Sequence, residues 1–392
     1  MAQVLYFSRD TKFYVELPNV GAAGSTLFEI PILDGFSFSQ ATNSTEVTLA
    51  EMSAGGVSKR GRAFFNDSLA PVEFSFSTYV RPYKTLGSGT GRFGDTAGEH
   101  HAVEEVLWAL MVGDASHSSA NFEGFTRDTT DLDISFANSN VVELGPTAVG
   151  KQANIFLSLG TNKTQPKIYK IAEVVINEAT LDFDIDGIAT INWSGFGSTL
   201  TESSLPSGNA PNAYITEDIT ATDNFIRNRL TELAIDFDDS STFPGASNNG
   251  VYNLTLTGGS VTITNNVTYI TPETLGQVNT PIGHVTGGRS VSGSFTCYLN
   301  HETTGNDGSS SDFFADMTAA TALTKITNKV ATTFKVGGAT GTPRLELAMA
   351  NAHFEIPSHN IEEVIALETN FHALPSTIDE KDELTIKYVG KA

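Results

Sequence analysis

The chain has 392 residues, of which 40% are hydrophobic, 9% aromatic and 17% charged; that is about right for two domains and too apolar for a disordered tail. Its 45 acidic residues outweigh 23 basic ones, a net charge of −22, which argues against a surface built to hold nucleic-acid phosphates. No run of about eighteen apolar residues marks a membrane span, the charged start MAQVLYFSRDTKF lacks the apolar stretch of a signal peptide, and a lone Cys297 excludes a disulfide framework or a multi-thiolate zinc site. A soluble product made in a cytoplasm is expected.

In chain order, period-two alternation dominates. It runs through FSFS (Phe36, Phe38) and then PVEFSFSTYV, where Val72, Phe74, Phe76, Thr78 and Val80 share one face and Glu73, Ser75, Ser77 and Tyr79 the other. It returns in LDFDID (Leu181, Phe183, Ile185), NLTLTGGSVTIT (Leu254, Leu256, Val261, Ile263) and ELTIKY (Leu384, Ile386, Tyr388), with Gly, Asn, Asp and Ser at the turns. Two segments have helical spacing instead. AVEEVLWALM places Val103, Val106, Leu107, Leu110 and Met111 on one stripe expected to cover its own domain, and SDFFADM opens with Ser and Asp, as an N-cap does.

One lone helix in each half suggests an internal repeat. An ordered series of matches supports it: FYVEL ending at Leu17 with RLTEL ending at Leu233, Phe36 and Phe38 with Val261 and Ile263, SFSTYV from Ser75 with SFTCYL from Ser294, LWALM from Leu107 with FFADM from Phe313, and INEATLDF from Ile176 with ANAHFEI from Ala350. The alternative is that two β-rich halves align through shared alternation alone. The reading gives a first domain over 1–205 with an insertion around 114–170, a Ser, Thr, Pro, Gly and Asn-rich linker over 206–222, and a second domain over 223–392.

The chemical motifs read as bland. DFDIDG (Asp182, Asp184, Asp186, Gly187) opens like a calcium loop, but Trp193 stands where a bidentate Glu is needed and the flanks are strands; an Asp-Gly hairpin turn with Ile185 packed inward is the better reading. Gly89, Gly91 and Gly94 have dinucleotide spacing without the strand before and helix after, which leaves a surface loop. His100 and His101, beside Glu99, point apart and are expected in solvent or at an interface. No nucleophile elbow, P-loop or metalloprotease motif occurs, so neither a catalytic residue nor a cofactor or metal site is expected. The remaining charge feature is SKRGR, with Lys59, Arg60 and Arg62 in a connection between strands. It reads as a solvated loop or as a basic spot meeting the acidic surface of another copy.

The segments DGFSFSQATNSTEVTLAEMS, KRGRAFFNDSLAPVEFSFSTYVRPY and TPIGHVTGGRSVSGSFTCYLN, with the helices after them, resemble the major tail tube proteins of tailed bacteriophages over nearly the whole chain. The resemblance implies a mainly β fold: two tandem tail-tube-like β-sandwich or barrel domains, each with a flanking helix, contributing strands to a multi-chain β-barrel ring. It implies a structural virion protein, not an enzyme, whose rings stack into a hollow tube through which DNA passes transiently. Two tube domains per chain imply trimeric rings with pseudo-sixfold symmetry; the alternative is a hexamer in which one half decorates the outside. Implied partners are other copies of the chain, the tape measure, baseplate or tip and tail terminator proteins, and a sheath protein if the tail is contractile, with no membrane.

Physical chemistry adds a size. About 24 strands spaced about 4.8 Å and tilted about 40° close a barrel of roughly 48 Å, leaving roughly 38 Å inside the side chains, wide enough for duplex DNA. An acidic wall repels phosphates. Glu73, Ser75, Ser77, Asp182, Asp184, Ser292, Ser294 and Thr296 are the expected lumen-facing residues, with Phe74, Phe76 and Phe295 turned to the core, and Lys59, Arg60 and Arg62 the expected contact between stacked rings. Two other classes compete: a phage decoration or receptor-binding β protein, and a polysaccharide-cleaving enzyme, which needs two carboxylates across a cleft.

Overall fold

The computed structural model describes residues 5–18, 25–47, 55–56, 62–84, 98–112, 117–118, 121–122, 124–136, 153–160, 165–205, 224–236, 251–276, 278–301, 308–319, 330–338, 342–378 and 380–390. The proposed linker at 206–222 and the glycines Gly89, Gly91 and Gly94 lie outside them. The alternating segments fold as strands. In the first half these are β1 (Lys12–Pro18), β2 (Ser25–Ile30), β3 (Ser37–Val47), β4 (Ala63–Tyr79), β5 (Pro82–Lys84), β6 (His100–Ala102), then helix α1 (Glu105–Val112), β7 (His117–Ser118), β8 (Asn121–Phe122), β9 (Phe125–Arg127), β10 (Leu132–Ser135), β11 (Ala153–Leu159), β12 (Lys167–Asp184), β13 (Thr190–Gly197) and β14 (Leu200–Ser203). The second half supplies β15 (Glu232–Asp236), β16 (Val251–Leu254), β17 (Leu256–Thr264), β18 (Val267–Ile270), β19 (Gly283–Thr286), β20 (Ser290–Tyr298), helix α2 (Ser310–Thr318), β21 (Val330–Val336), β22 (Arg344–Phe354), β23 (Ser358–Ile361), β24 (Ile365–Ala373) and β25 (Thr385–Val389). The fold is mainly β.

One antiparallel sheet runs through both halves in the order β3, β4, β13, β12, β17, β20, β24, β23. A second layer packs on each half: β2, β1, β11, β12 and β14 on the first, and β16, β15, β21, β22 and β25 on the second. The eighteen-residue β12 serves both layers of its half, pairing β11 up to Val174 and β13 from Val175, with a register shift against β13 between Ile176 and Glu178. The core lies between the layers, where Phe13 of β1 meets Phe76 of β4 at 4.5 Å between rings and Phe334 of β21 meets Phe371 of β24 at 5.3 Å.

The pairing pattern of the first half recurs in the second. β1–β2, β1–β11, β11–β12, β12–β14, β12–β13, β13–β4 and β3–β4 are matched by β15–β16, β15–β21, β21–β22, β22–β25, β22–β24, β24–β20 and β17–β20. Register corrects three of the sequence matches. Val72 pairs Gly197 as Val291 pairs Ala373, so the Ser75 and Ser294 match stands. Ser37 faces Ser75 as Ser260 faces Ser294, which puts Phe38 with Val261 rather than Ile263. Ile176 faces Gly195 where Phe354 faces Phe371, so Ile176 corresponds to Phe354 and not Ala350. Phe13 faces Leu157 as Leu233 faces Phe334, so Leu233 corresponds to Phe13 and not Leu17. Every slip is by an even number of residues, because alternation of period two aligns equally well at each even shift. The insertion around 114–170 also overran: β11 pairs β1 and β12 and is a core strand of the first half.

The helices follow from their caps and composition. Ser309 caps α2 with a full capping box, its side chain accepting from Asp312 N while the Asp312 carboxylate accepts from Ser309 N at 3.0 Å. Apart from Glu105 in its first turn, α1 is apolar all round, and all eight of its residues are buried.

Two glycines let rings lie flat on the sheet. A Cβ at Gly293 would stand 2.1 Å from Ser260 O and 2.6 Å from the Phe371 ring, and one at Gly195 2.2 Å from Val175 O and 2.7 Å from the Phe74 ring. Gly293→Ala is expected to cost about 2 kcal/mol or more, because backbone and ring must both move; chemical denaturation of the chain measures it.

Candidate functional site

Residues directly opposite one another in an antiparallel sheet share a face, so register decides which side chains collect together. Across the continuous sheet one row reads Ser77, Asn192, Thr180, Thr262, Ser292, His372, and the next reads Tyr79, Thr190, Asp182, Ser260, Ser294, Asn370. Flanking rows add Ser37, Ser75, Ser194, Glu178 and Thr264 on one side and Asp184, Thr296, Glu368 and Ser358 on the other. The opposite face holds buried Phe74, Phe76, Trp193, Leu181, Val261, Phe295 and Phe371. All eight residues expected in a lumen therefore lie on one polar face. Glu73, Ser75, Asp182 and Asp184 are exposed there, and Ser77, Ser292, Ser294 and Thr296 half-buried.

Hydroxyls and amides knit the face across strands. Ser77 donates to Asn192 at 2.6 Å, Asn192 to Asp182 at 3.0 Å, and the Thr180 and Thr262 hydroxyls lie 3.1 Å apart across the joint between halves. Five carboxylates stand on the face, Glu73, Glu178, Asp182, Asp184 and Glu368, and among the described residues its rows carry neither Lys nor Arg. Sequence reading found the face on β4, β12 and β20. It missed β13, β17 and β24, whose alternation was legible but whose place beside the others was not.

Two expectations are corrected. Ile185 lies beyond the end of β12 and is 41% exposed instead of packed inward, while Asp186 forms an exposed ion pair with Arg229. His100 and His101 are buried, not solvent-facing. β6 pairs with β5 and carries them inward, His100 against Asp128 O at 3.2 Å and His101 against Glu105 at 3.3 Å. Burial holds the His100 pKa below its ordinary value, against the pull of the Asp128 carbonyl. Lys59 and Arg60 lie outside the described residues, and Arg62 grips Glu46 with both ends of its guanidinium across the β3–β4 hairpin.

The titratable groups elsewhere build structure. The Cys297 thiol, buried on β20, is pushed up to about 12 by desolvation and so is no thiolate nucleophile at neutral pH. Tyr388 of β25 accepts from Trp108 Nε1 at 2.6 Å and donates to Glu104 at 2.8 Å, tying the last strand to α1. Burial pushes Glu104 up to about 7, opposed by the Tyr388 hydrogen bond and the Arg81 charge. No group of three His, Cys, Asp or Glu able to hold a metal occurs among the described residues.

The comparisons fit this geometry. No family model matches the chain. It is 30% identical over 394 residues to the tail tube protein pb6 of Escherichia phage T5, covering 99% of this chain and 76% of the relative. The chain belongs to the phage tail tube proteins. Its role is structural, in the virion tail, and the polar face belongs to a building block of the tube. No helix among the described residues is long and apolar enough to cross a membrane.

Because the Glu104 pKa is higher folded than its ordinary 4.5, the stability it contributes is complete below about pH 4.5 and lost as pH rises through about 7. Glu104→Gln is expected to flatten stability across that window and to gain roughly 1–3 kcal/mol on the parent above it. Urea denaturation at pH 5 and pH 8 checks both.

Proposed function

We propose that three copies of this chain close into a ring with pseudo-sixfold symmetry, that rings stack into the tail tube, and that the polar face of the continuous sheet lines the channel through which DNA passes. The observation that carries the reading is the face itself: it spans both halves without a break and bears five carboxylates and no Lys or Arg on its rows. Such a wall offers phosphates hydroxyls and repulsion but no cation, so DNA slides without adhering. Each half gives four strands, and three chains of eight supply the 24 that a channel of roughly 38 Å needs. A six-chain ring with one half outside is disfavoured, since both halves build the same sheet. Residues 1–205 and 223–392 are the two tube units of this reading.

Closure has a template within the chain. β12 of the first half pairs with β17 of the second over seven residues, Glu178 to Asp184 against Thr264 to Gly258. The corresponding free edges are β23 and β3, each paired on one side only among the described residues. Unpaired edges invite another strand. Asn360 holds the place of Asp182, each reaching a tyrosine, Tyr298 or Tyr79, through one partner, and Ser37 holds the place of Ser260. Asp182 faces Ser260, so Asn360 is expected to face Ser37 of the next copy.

Lys59, Arg60 and Arg62, which the sequence places between β3 and β4, are assigned to contact between stacked rings. The tape measure, baseplate or tip and terminator proteins are the further partners of the tube, with a sheath around it in a contractile tail.

With Cys297 buried, Ser37→Cys plus Asn360→Cys gives a clean cross-link. Oxidation of concentrated protein is expected to yield covalent dimers and trimers and nothing larger within a ring, alongside rings of three chains by electron microscopy and solution mass. Six chains per ring, or closed particles without a channel, would refute the arrangement. Lining the channel with cations is the second check: Asp182→Lys with Asp184→Lys is expected to leave tubes intact but slow DNA ejection in a salt-dependent way, read by ejection kinetics from virions carrying the variant.

A further inference from the structure

Both halves extend a hairpin of the central sheet into an arm. In the second half β18 and β19 form it, Val267 opposite Thr286 and Ile270 opposite Gly283. In the first, the outer parts of β3 and β4 do, Ser44 opposite Asn66 and Val47 opposite Ala63. The arms spring from the same place, because β17–β20 and β3–β4 hold the same position in their halves.

The second-half arm lies across the first half. Asn265 N donates to Asn177 O and Val267 N to Asn177 Oδ1, both at 2.8 Å, and Tyr269 donates to Glu173 O. Farther out, Asn279 reaches β4, donating to Asp67 O at 3.1 Å and accepting from Leu69 N at 2.8 Å. The arm thus bonds to β12 and to β4 of the other half. The first-half arm, in contrast, leaves Phe64 and Phe65 57% and 64% exposed.

The second half carries the matching surface. Gly288 stands three residues before Val291 as Leu69 stands three before Val72, and it borders a cavity of about 550 Å³ with Gly287, Leu374, Ile378 and Glu383. Arg289 anchors this cavity, paired to Glu383 at 3.3 Å and stacked 4.5 Å over Phe136. Asn351 holds the place of Glu173, three residues before Phe354 as Glu173 is before Ile176. The cavity and the approach to it thus lie where an arm would pass.

We propose that the β3–β4 arm of one copy clasps the second half of the next, with Phe64 covering β22 near Asn351, Phe65 on the opposite face of the arm, and the arm directed at the cavity beside Gly288. The occupant is a second copy of this chain, and the inference rests on the ring reading above. Every joint in the ring then has the same construction, an edge pairing reinforced by an arm, whether it falls within a chain or between chains. Burying a phenylalanine at each inter-chain joint supplies apolar contact that strand pairing alone lacks.

The test uses the full chain. A Cβ at Gly288 meets nothing within 4 Å, so a side chain has room to start there, and Gly288→Trp is chosen to put bulk at the cavity. It is expected to raise the concentration needed for rings about ten-fold or more at an unchanged melting temperature, with Gly288→Ala assembling normally. Phe64→Cys plus Asn351→Cys, treated with a short bismaleimide, is expected to join chains. If Ser37 and Asn360 cross-link while Phe64 and Asn351 do not, and Gly288→Trp assembles like the parent, the clasp is wrong and the ring stands. If neither pair links, both fall.

Discussion

Seven residue pairs between β12 and β17 make the two halves one sheet, and most of what is distinctive about the molecule depends on their register. A slip of β17 by one residue against β12 would turn Val261 and Ile263 outward and Thr262 into the core while Leu181 kept its place. Side chains at the end of the joint oppose such a shift. Asn177 accepts from both Asn265 N and Val267 N, and Asn265 in turn donates to Met111 O at the end of α1 and to Ile176 O. Arg289 donates to Asn265 Oδ1 and reaches Val112 O, so a cation meets the carbonyl end of α1 where the helix dipole favours it. The buried helix is therefore a peg to which the second half is fastened as well as filler for the first.

A second tie runs through the last strand. β25 pairs with β22 of its own half and with β10 of the first, and Tyr388 carries hydrogen bonds to Trp108 and Glu104. The first-half counterpart, β14, pairs only with β12 among the described residues. The repeat is thus not perfect: material between α1 and β11 in the first half supplies a strand that covers the second half's edge. That asymmetry adds a second connection between the two units of a chain, beside the β12–β17 joint.

The polar face shows how a surface can be specified by omission. Hydroxyls and amides satisfy one another laterally, carboxylates project, and Lys and Arg are absent from the rows. With no counter-cation to draw phosphates in, the face supplies hydration and repulsion. Cations among the described residues are placed elsewhere, at the arm in Arg62, in buried pairs such as Arg289 with Glu383, and in the second layer at Lys387 with Asp133.

Alternation in β4, β12 and β20 disclosed the β class and which side chains of each strand point away from the core, because side-chain direction in a strand is a local property of period two. The Ser309 cap and the apolar run before Val112 likewise disclosed two helices, since caps and helical faces are also local. Register was not legible: matches two or four residues out fit the alternation as well as the true ones, and His100 and His101 read as solvent or interface residues because β6 is too short to show a pattern. The sequence by itself determined the strands, their polar faces and the charge deficit. Only the tertiary structure decided that β12 meets β17, that the polar faces merge into one, and which two edges are paired on one side only among the described residues, because strand partners are chosen by non-local packing and side-chain locks that no single strand encodes.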